Sequence, residues 1–199
     1  NADSLATWFA PTVAAFAADA PVLVTLSVDD QDHTATWLRS GAVLAAVTGT
    51  ARPPAGFNSR PLGAMRYLAV ASPAYVERHF ANGIGAGSLA RAPSLVFNTK
   101  DDLQARWVRR LCHRDVELLR HAVPSPHAFV AAGLAGMGWG LHPQALIATQ
   151  LRDGSLVELV PETPLDVPLY WQHARAASSL VDGLSRELVA AATRLLLPP

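Results

Sequence analysis

The sequence has few charged residues, a single cysteine and no long apolar run. Charged residues make up 16% of the 199 residues and hydrophobic residues 50%, which excludes an intrinsically disordered chain. The single cysteine, Cys112, excludes an internal disulfide and a cysteine-based zinc site, so we expect a reducing compartment. The apolar residues 41–48 end at Gly49 and the proline-containing residues 52–54, short of the ~20 residues of a membrane helix. We therefore expect a cytoplasmic chain with no membrane segment.

The formal net charge is zero, so the total does not indicate a nucleic-acid scaffold or a polybasic membrane surface. The charges are nevertheless unevenly distributed. Five aspartates but no lysine or arginine precede Arg39, and the rest of the chain carries a matching excess of lysine and arginine. Neutrality is thus the sum of an acidic start and a basic remainder.

The first part of the chain predicts a helix followed by a parallel crossover unit. Apolar residues at helical spacing follow Asp3 or Ser4 as the expected N-cap, and Pro11 is expected to kink the helix. Alternating apolar residues predict a strand over 22–28, and the unit continues with a helix over 32–40 and a buried strand over 43–47.

A second α/β unit follows the proline- and glycine-rich residues 51–63, which predict an irregular connection. The sequence predicts strands over 67–71, 94–98, 116–123, 139–142 and 165–173, and helices over 101–111, from 126 to about 134, and 178–197. The last helix presents an apolar stripe that includes Leu188 and Leu195. Two similar units indicate two lobes, and the chain crosses between them near 66–72 and 168–173.

The sequence contains no recognisable catalytic, metal-binding or cofactor-binding motif. The segment 85–88 lacks the spacing of a nucleophile elbow, and the glycines of 133–140 lack the dinucleotide fingerprint. Cys112 and His113 are adjacent, so on a helix they point in different directions. The other histidines have no ligand spacing. We therefore predict no catalytic residue, no metal and no cofactor.

Polar residues at strand and helix ends are the candidate binding residues. Asp29 and Asp30 follow a predicted buried strand, where open α/β sheets place their ligands, although Arg39 could pair with these carboxylates or the two residues could instead cap the next helix. Ser4 opens the first helix, where N–H groups favour a carboxylate, although a simple N-cap is equally consistent. Thr48 ends the strand over 43–47, and Ser125 begins a helix. Together these polar residues predict a pocket for an amino acid.

Four segments carry a resemblance to a known family. They are residues 1–8 (NADSLATW), the strand end 28–30 (VDD), Gly63 with residues 67–72 (YLAVAS), and residues 169–171 (LYW). These segments resemble the effector-binding domain of LysR-type transcriptional regulators, and in particular the ArgP/LysG group, which responds to lysine and arginine. The resemblance covers nearly the whole chain.

The resemblance implies a periplasmic-binding-protein-like type II fold of two Rossmann-like lobes joined by two crossover strands. Lobe I would be residues 1–70 with 171–199, and lobe II residues 71–170. An N-terminal winged helix-turn-helix, which would bind DNA, and the first strand of lobe I would be absent from these residues. The implied effector is a basic amino acid held between the lobes, and the other implied partners are a homodimer or homotetramer and RNA polymerase. The residues implied to line the site are Ser4, Asp29, Asp30, Thr48, Asn98, Ser125 and Trp171; residues 124–127 depart from some relatives, which leaves the contacts of lobe II open.

Two other functions fit parts of the sequence. An extracytoplasmic solute-binding protein has the same two lobes and amino-acid cleft, and it would carry a secretory signal before Asn1. A hydrolase would use Ser88 or Ser125 with a histidine, although no motif supplies the geometry. Because the chain begins with Asn1, we expect either a processed protein or a piece of a longer one.

Overall fold

The computed structural model describes residues 1–28 and 31–198, with the backbone alone at 31–35 and 178–180. The chain divides into two compact units, Asn1–Met65 with Asp166–Pro199, and Arg66–Leu165. It enters the second unit within strand β2 (Phe57–Ala71) and returns within strand β7 (Leu165–Ala174).

The first unit opens with a helix in three parts. Helix α1 (Ala2–Ser4) continues as a π-helical turn, Leu5–Phe9, and then as α2 (Ala10–Asp19). Pro11 has no N–H and its ring crowds the carbonyl group one turn earlier. The wider π turn lies directly before this proline and accommodates it, so the irregularity expected at Pro11 is a π turn.

The other elements of the first unit are α3 (Gln31–Ser40), β1 (Ala45–Thr48), a 3₁₀ turn (Arg175–Ala177) and α9 (Ser178–Leu195). Strand β1 pairs antiparallel with β7, from Ala45 opposite His173 to Thr48 opposite Tyr170, and the strand order is β1-β7-β2. Helix α9 packs against α2 and buries Val181, Leu188, Ala191 and Ala192. Its predicted stripe is wrong at Leu195, which is 60% exposed.

The strand predicted over residues 22–28 does not form. These residues have no regular secondary structure and pair with no described strand. Their large apolar side chains, Leu23, Val24, Leu26 and Val28, are exposed. A strand needs partners for its N–H and C=O groups, and no described residue supplies them here. The predicted parallel crossover unit is therefore wrong in the described residues, and β1 pairs antiparallel instead.

The irregular connection predicted for residues 51–63 is wrong from Phe57 onward, where β2 begins. Proline and glycine disfavour strands in local sequence. Long-range pairing overrides this preference, because Ala64 forms an antiparallel bridge with Leu197 near the C-terminus.

The second unit contains two small sheets. Strand β2 pairs antiparallel with β5 (Gly140–Pro143) and with β6 (Val157–Glu158). Strand β3 (Ser94–Val96) pairs parallel with β4 (Arg120–Ala122). Leu68, Val70, Val130, Ile147 and Leu156 form a buried core.

The helices of the second unit are α4 (Pro73–Phe80), α5 (Ala86–Arg91), α6 (Leu103–Cys112), α7 (Pro126–Leu134) and α8 (Ala148–Asp153). The sequence predicted α6 and α7 but missed α4, α5 and α8. None of the helices in the described residues is long and apolar enough to cross a membrane.

Candidate functional site

The start of the first helix carries a buried hydroxyl group. Asn1, rather than Asp3 or Ser4 as predicted, caps this helix, because its Oδ1 accepts a hydrogen bond of 2.8 Å from the Ser4 N–H. The Ser4 side chain is 1% exposed, and its Oγ has no hydrogen-bond partner among the described residues. Buried polar groups are normally satisfied, so this hydroxyl group is a candidate ligand contact.

A cavity of about 420 Å³ in the first unit is lined by Asn1, Ser4 and Trp171, among other residues. The indole N–H of Trp171 donates a 2.8 Å hydrogen bond to Ser185 Oγ. The same ring lies 6.3 Å from the ring of Phe9, measured between centroids. Since its only donor is already used, Trp171 can contact a ligand through its ring but not through this N–H.

Thr48 lies at the same end of the sheet as the helix start. It is the last residue of β1 and is 4% exposed, and its Oγ1 accepts a hydrogen bond of 3.2 Å from the Thr50 N–H. The preceding residue, Val47, accepts a bond of 3.4 Å from the Asn1 amino group. This bond holds the first turn of the helix beside the carboxyl end of β1. The predicted residues Asp29 and Asp30 lie outside the described residues.

Asn98 and Ser125 lie at one edge of the second unit's parallel sheet. Asn98 follows β3 and Ser125 follows β4, and these strands pair in parallel. Parallel strands end at a common edge, where α/β sheets bind ligands. The Ser125 side chain accepts from the Ala128 N–H and caps α7 as predicted. Asn98 Oδ1 accepts from Lys100 and Asp101 N–H groups, at 2.9 and 3.1 Å.

Two structural features were not predicted from the sequence. Asn1 was not recognised as the helix cap, although asparagine directly before a helical segment is a standard cap signal. The buried His142 was also missed, because nothing in the neighbouring sequence distinguishes it from a surface histidine. Within residues 1–28 and 31–198, no cluster of histidine, cysteine and acidic side chains could hold a metal.

Comparison with known proteins gives matches over the whole chain. The model of the LysR substrate binding domain matches residues 2–193. The HTH-type transcriptional regulator ArgP of Pseudomonas fluorescens (strain Pf0-1) is 43% identical over 198 residues, which are 100% of this chain and 66% of that protein. The chain thus spans slightly less than two thirds of this curated relative.

Solved structures of LysR-family proteins also match the whole chain. The C-terminal domains of a LysR family protein from Agrobacterium tumefaciens C58 match with a TM-score of 0.98 and 52% identity, over 100% of this chain and 96% of that one. The full-length regulator LysG from Corynebacterium glutamicum with bound effector Arg matches with a TM-score of 0.87 and 38% identity, over 100% and 67%. The predicted α/β fold of the periplasmic-binding-protein-like type II class is confirmed. Since the family model and these relatives cover nearly every residue, the chain belongs to the LysR substrate binding domain family.

Proposed function

We propose that this chain is the effector-sensing domain of a LysR-type transcriptional regulator, that it binds a basic amino acid, and that it has no enzymatic activity of its own. The similarity over the whole chain to LysG, a regulator solved with bound effector Arg, carries the proposal. The buried Ser4 hydroxyl group without a described partner supports it from the chain itself.

Each end of the amino acid would have a partner in the first unit. The first turn of the helix and the Ser4 hydroxyl group are suited to bind the α-carboxylate. The N–H groups and the dipole at the N-terminus of a helix stabilise a negative charge. Asp30, with help from Asp29, would receive the cationic side chain through charge-assisted hydrogen bonds. Thr48 and the ring of Trp171 would contact the rest of the effector, and Asn98 and Ser125 remain predicted contacts from the second unit.

In the whole regulator, effector binding would change how the protein acts on DNA. An N-terminal winged helix-turn-helix would bind the operator of a basic amino-acid exporter gene, and the protein would act with RNA polymerase in the cytoplasm as a homodimer or homotetramer. The effector can shift the regulator only by its difference in affinity for two conformations. The solute-binding alternative is not favoured, because the ArgP and LysG relatives are named as regulators.

A calorimetric comparison of L-arginine with L-citrulline tests the proposed site. Citrulline has the same backbone groups as arginine but a neutral side chain. We expect arginine to bind the gene product that contains this chain, and Asp30→Asn to weaken arginine binding by about 10- to 100-fold while leaving citrulline unchanged, since a hydrogen bond to a charged group contributes about 1.5–3 kcal/mol. Ser4→Ala should weaken both ligands by a similar factor, because both carry the α-carboxylate.

The matched control is Asp19→Asn, which removes an exposed aspartate at the end of α2 and should change neither affinity. Equal losses for arginine and citrulline in Asp30→Asn would contradict the assignment of Asp30 to the cationic side chain. The absence of binding of arginine, lysine and histidine to the wild-type gene product would contradict the proposed effector class.

A further inference from the structure

A second cavity, of about 360 Å³, lies within the second unit where helix α4 ends and α5 begins. Its walls are formed by Arg78 and His79 from the last turn of α4, by Arg91 at the end of α5, and by residues 81–85 with Ser88. Small-molecule sites have volumes of about 300–1,000 Å³, so this cavity is large enough for a small ligand. The proposed amino-acid site uses none of these residues.

The ionisable side chains around this cavity are all basic. Arg78, His79 and Arg91 line it, and no acidic side chain of the described residues does. Glu77 precedes Arg78 on α4 but is not among the lining residues. Within the described part of the chain, Arg78 and Arg91 form no ion pair and donate no side-chain hydrogen bond. Two guanidinium groups that share a cavity without a carboxylate are available to an anion from solution.

The basic side chains of this cavity are positioned without a ligand. Tyr75 is 2% exposed, and its hydroxyl group donates a 2.6 Å hydrogen bond to Pro93 C=O. The His79 ring stacks on this Tyr75 ring, with 4.3 Å between centroids and 29° between planes. Arg91 Nη1 lies 3.7 Å from the position of a Cβ added to Gly87, so this guanidinium group lies along its own helix. Side chains that are already positioned lose less entropy when a ligand binds.

The loop between α4 and α5 satisfies its own polar groups. The Gly83 N–H donates to Phe80 C=O at 2.9 Å. Ser88 Oγ accepts from the Gly85 N–H at 3.0 Å and is in donating distance of Gly83 and Gly85 C=O, at 3.0 and 3.1 Å. Because these carbonyl groups are engaged within the loop, they do not oppose an anion strongly. The donors that remain for a ligand are those of the basic side chains.

We propose that this cavity binds a phosphate dianion, either free or as the terminal group of a small molecule. Each guanidinium group offers paired N–H donors that match two oxygen atoms of a phosphate group. His79 offers a further ring N–H in either protonation state. Two positive charges attract a dianion more strongly than the single charge of a carboxylate. A phosphate group of a nucleic-acid backbone carries one charge and has a sugar on both sides, so it does not enter a cavity end first.

Calorimetry on the gene product that contains this chain tests the site with two phosphate esters. Phenyl phosphate is a monoester and is largely a dianion at pH ~7.5, whereas dimethyl phosphate is a monoanionic diester. At a salt concentration of ~0.15 M, which screens distant surface charges, we expect phenyl phosphate to bind with a Kd of about 0.1–1 mM. Dimethyl phosphate and acetate should bind at least about 10-fold more weakly.

Inorganic phosphate is the third probe, and it distinguishes the two sources of the dianion. An affinity equal to or higher than that of phenyl phosphate would identify the free ion as the ligand. A lower affinity would identify an ester, whose organic part then occupies the rest of the cavity. Either result confirms the dianion site.

Three substitutions in the cavity and one outside it locate the binding. Arg78→Gln and Arg91→Gln should each weaken phenyl phosphate binding by about 10- to 100-fold, because each removes a charged pair of donors. His79→Phe keeps a ring against Tyr75 but removes the ring N–H, so we expect a loss of about 3- to 10-fold. Arg152→Gln is the matched control, since it removes an exposed arginine of α8 outside the cavity. It should change the affinity less than about 2-fold.

Three results would overturn the proposal. The first is no binding of phenyl phosphate at concentrations up to about 10 mM. The second is an equal loss in Arg78→Gln and Arg152→Gln, which would indicate general attraction of anions to a basic surface. The third is binding of dimethyl phosphate as tight as that of phenyl phosphate, which would indicate contact with a nucleic-acid backbone. The melting temperature of each arginine variant, which should match the wild type because these side chains are exposed, verifies folding without any ligand.

Discussion

Gly63→Ala is expected to lower the free energy of unfolding by ~3–5 kcal/mol, from left-handed strain and steric overlap together. Gly63 has a φ of 122°, a value that residues with a Cβ rarely adopt. An added Cβ would overlap the carbonyl oxygen of Leu197 and lie 3.2 Å from the Leu196 Cβ. The C-terminal segment cannot move away at low cost, because Ala64 and Leu197 exchange two backbone hydrogen bonds of 3.0 Å.

Gly56→Ala is the matched control for this effect. Gly56 also has a positive φ, 85°, but no atom lies within 4 Å of its added Cβ. Its substitution should therefore cost only the conformational strain of ~1–2 kcal/mol. Urea unfolding of both variants gives the two free energies. Equal losses would show that Gly63 is required for its backbone conformation alone and not for the close approach of the C-terminal segment.

Helix caps and strand ends that depend on neighbouring residues could be predicted from the sequence. Ser125 before Pro126 is a typical helix start, and it caps α7. Thr48 ends an apolar run before Gly49, and it ends β1. Candidate site residues of this kind could be placed because caps and strand ends depend on neighbouring residues.

Features that depend on distant partners could not be predicted. Residues 22–28 have a clear strand pattern, but a strand forms only where another chain segment pairs with it. Phe57 begins a strand in spite of Pro61 and Gly63, since pairing along β2 outweighs local preference. The Ser4 hydroxyl group was predicted to be near the helix start, but its burial without a partner follows from the packing of the whole unit.

His142 is a buried titratable side chain of the second unit. It lies on β5 and is 1% exposed, and neither ring nitrogen has a hydrogen-bond partner among the described residues. The Phe129 ring lies 4.8 Å away between centroids in a T-shaped arrangement, and a Cβ at Gly133 would lie 3.5 Å from Nε2. Desolvation by this environment lowers the pKa of His142 from 6.5 to about 3.

This lowered pKa makes the stability of the second unit sensitive to acid. The histidine is neutral in the folded protein but gains a proton in the unfolded chain below its ordinary pKa. Its contribution to stability is therefore complete above about pH 6.5 and is lost as the pH falls towards 3. Between pH ~7.5 and ~5 the loss amounts to about 2 kcal/mol, since each unit of pKa difference corresponds to ~1.4 kcal/mol.

His142→Leu should remove this part of the acid sensitivity. Leucine has a similar volume and no polar atom to leave unpaired, so the variant should be at least as stable as the wild type near neutral pH. Urea unfolding at pH ~7.5 and ~5 should show the wild type losing about 2 kcal/mol more than the variant. His127→Leu, at an exposed position of α7, should lose as much as the wild type. If His142→Leu also retained the full loss, His142 would not be the buried group whose protonation unfolds the second unit.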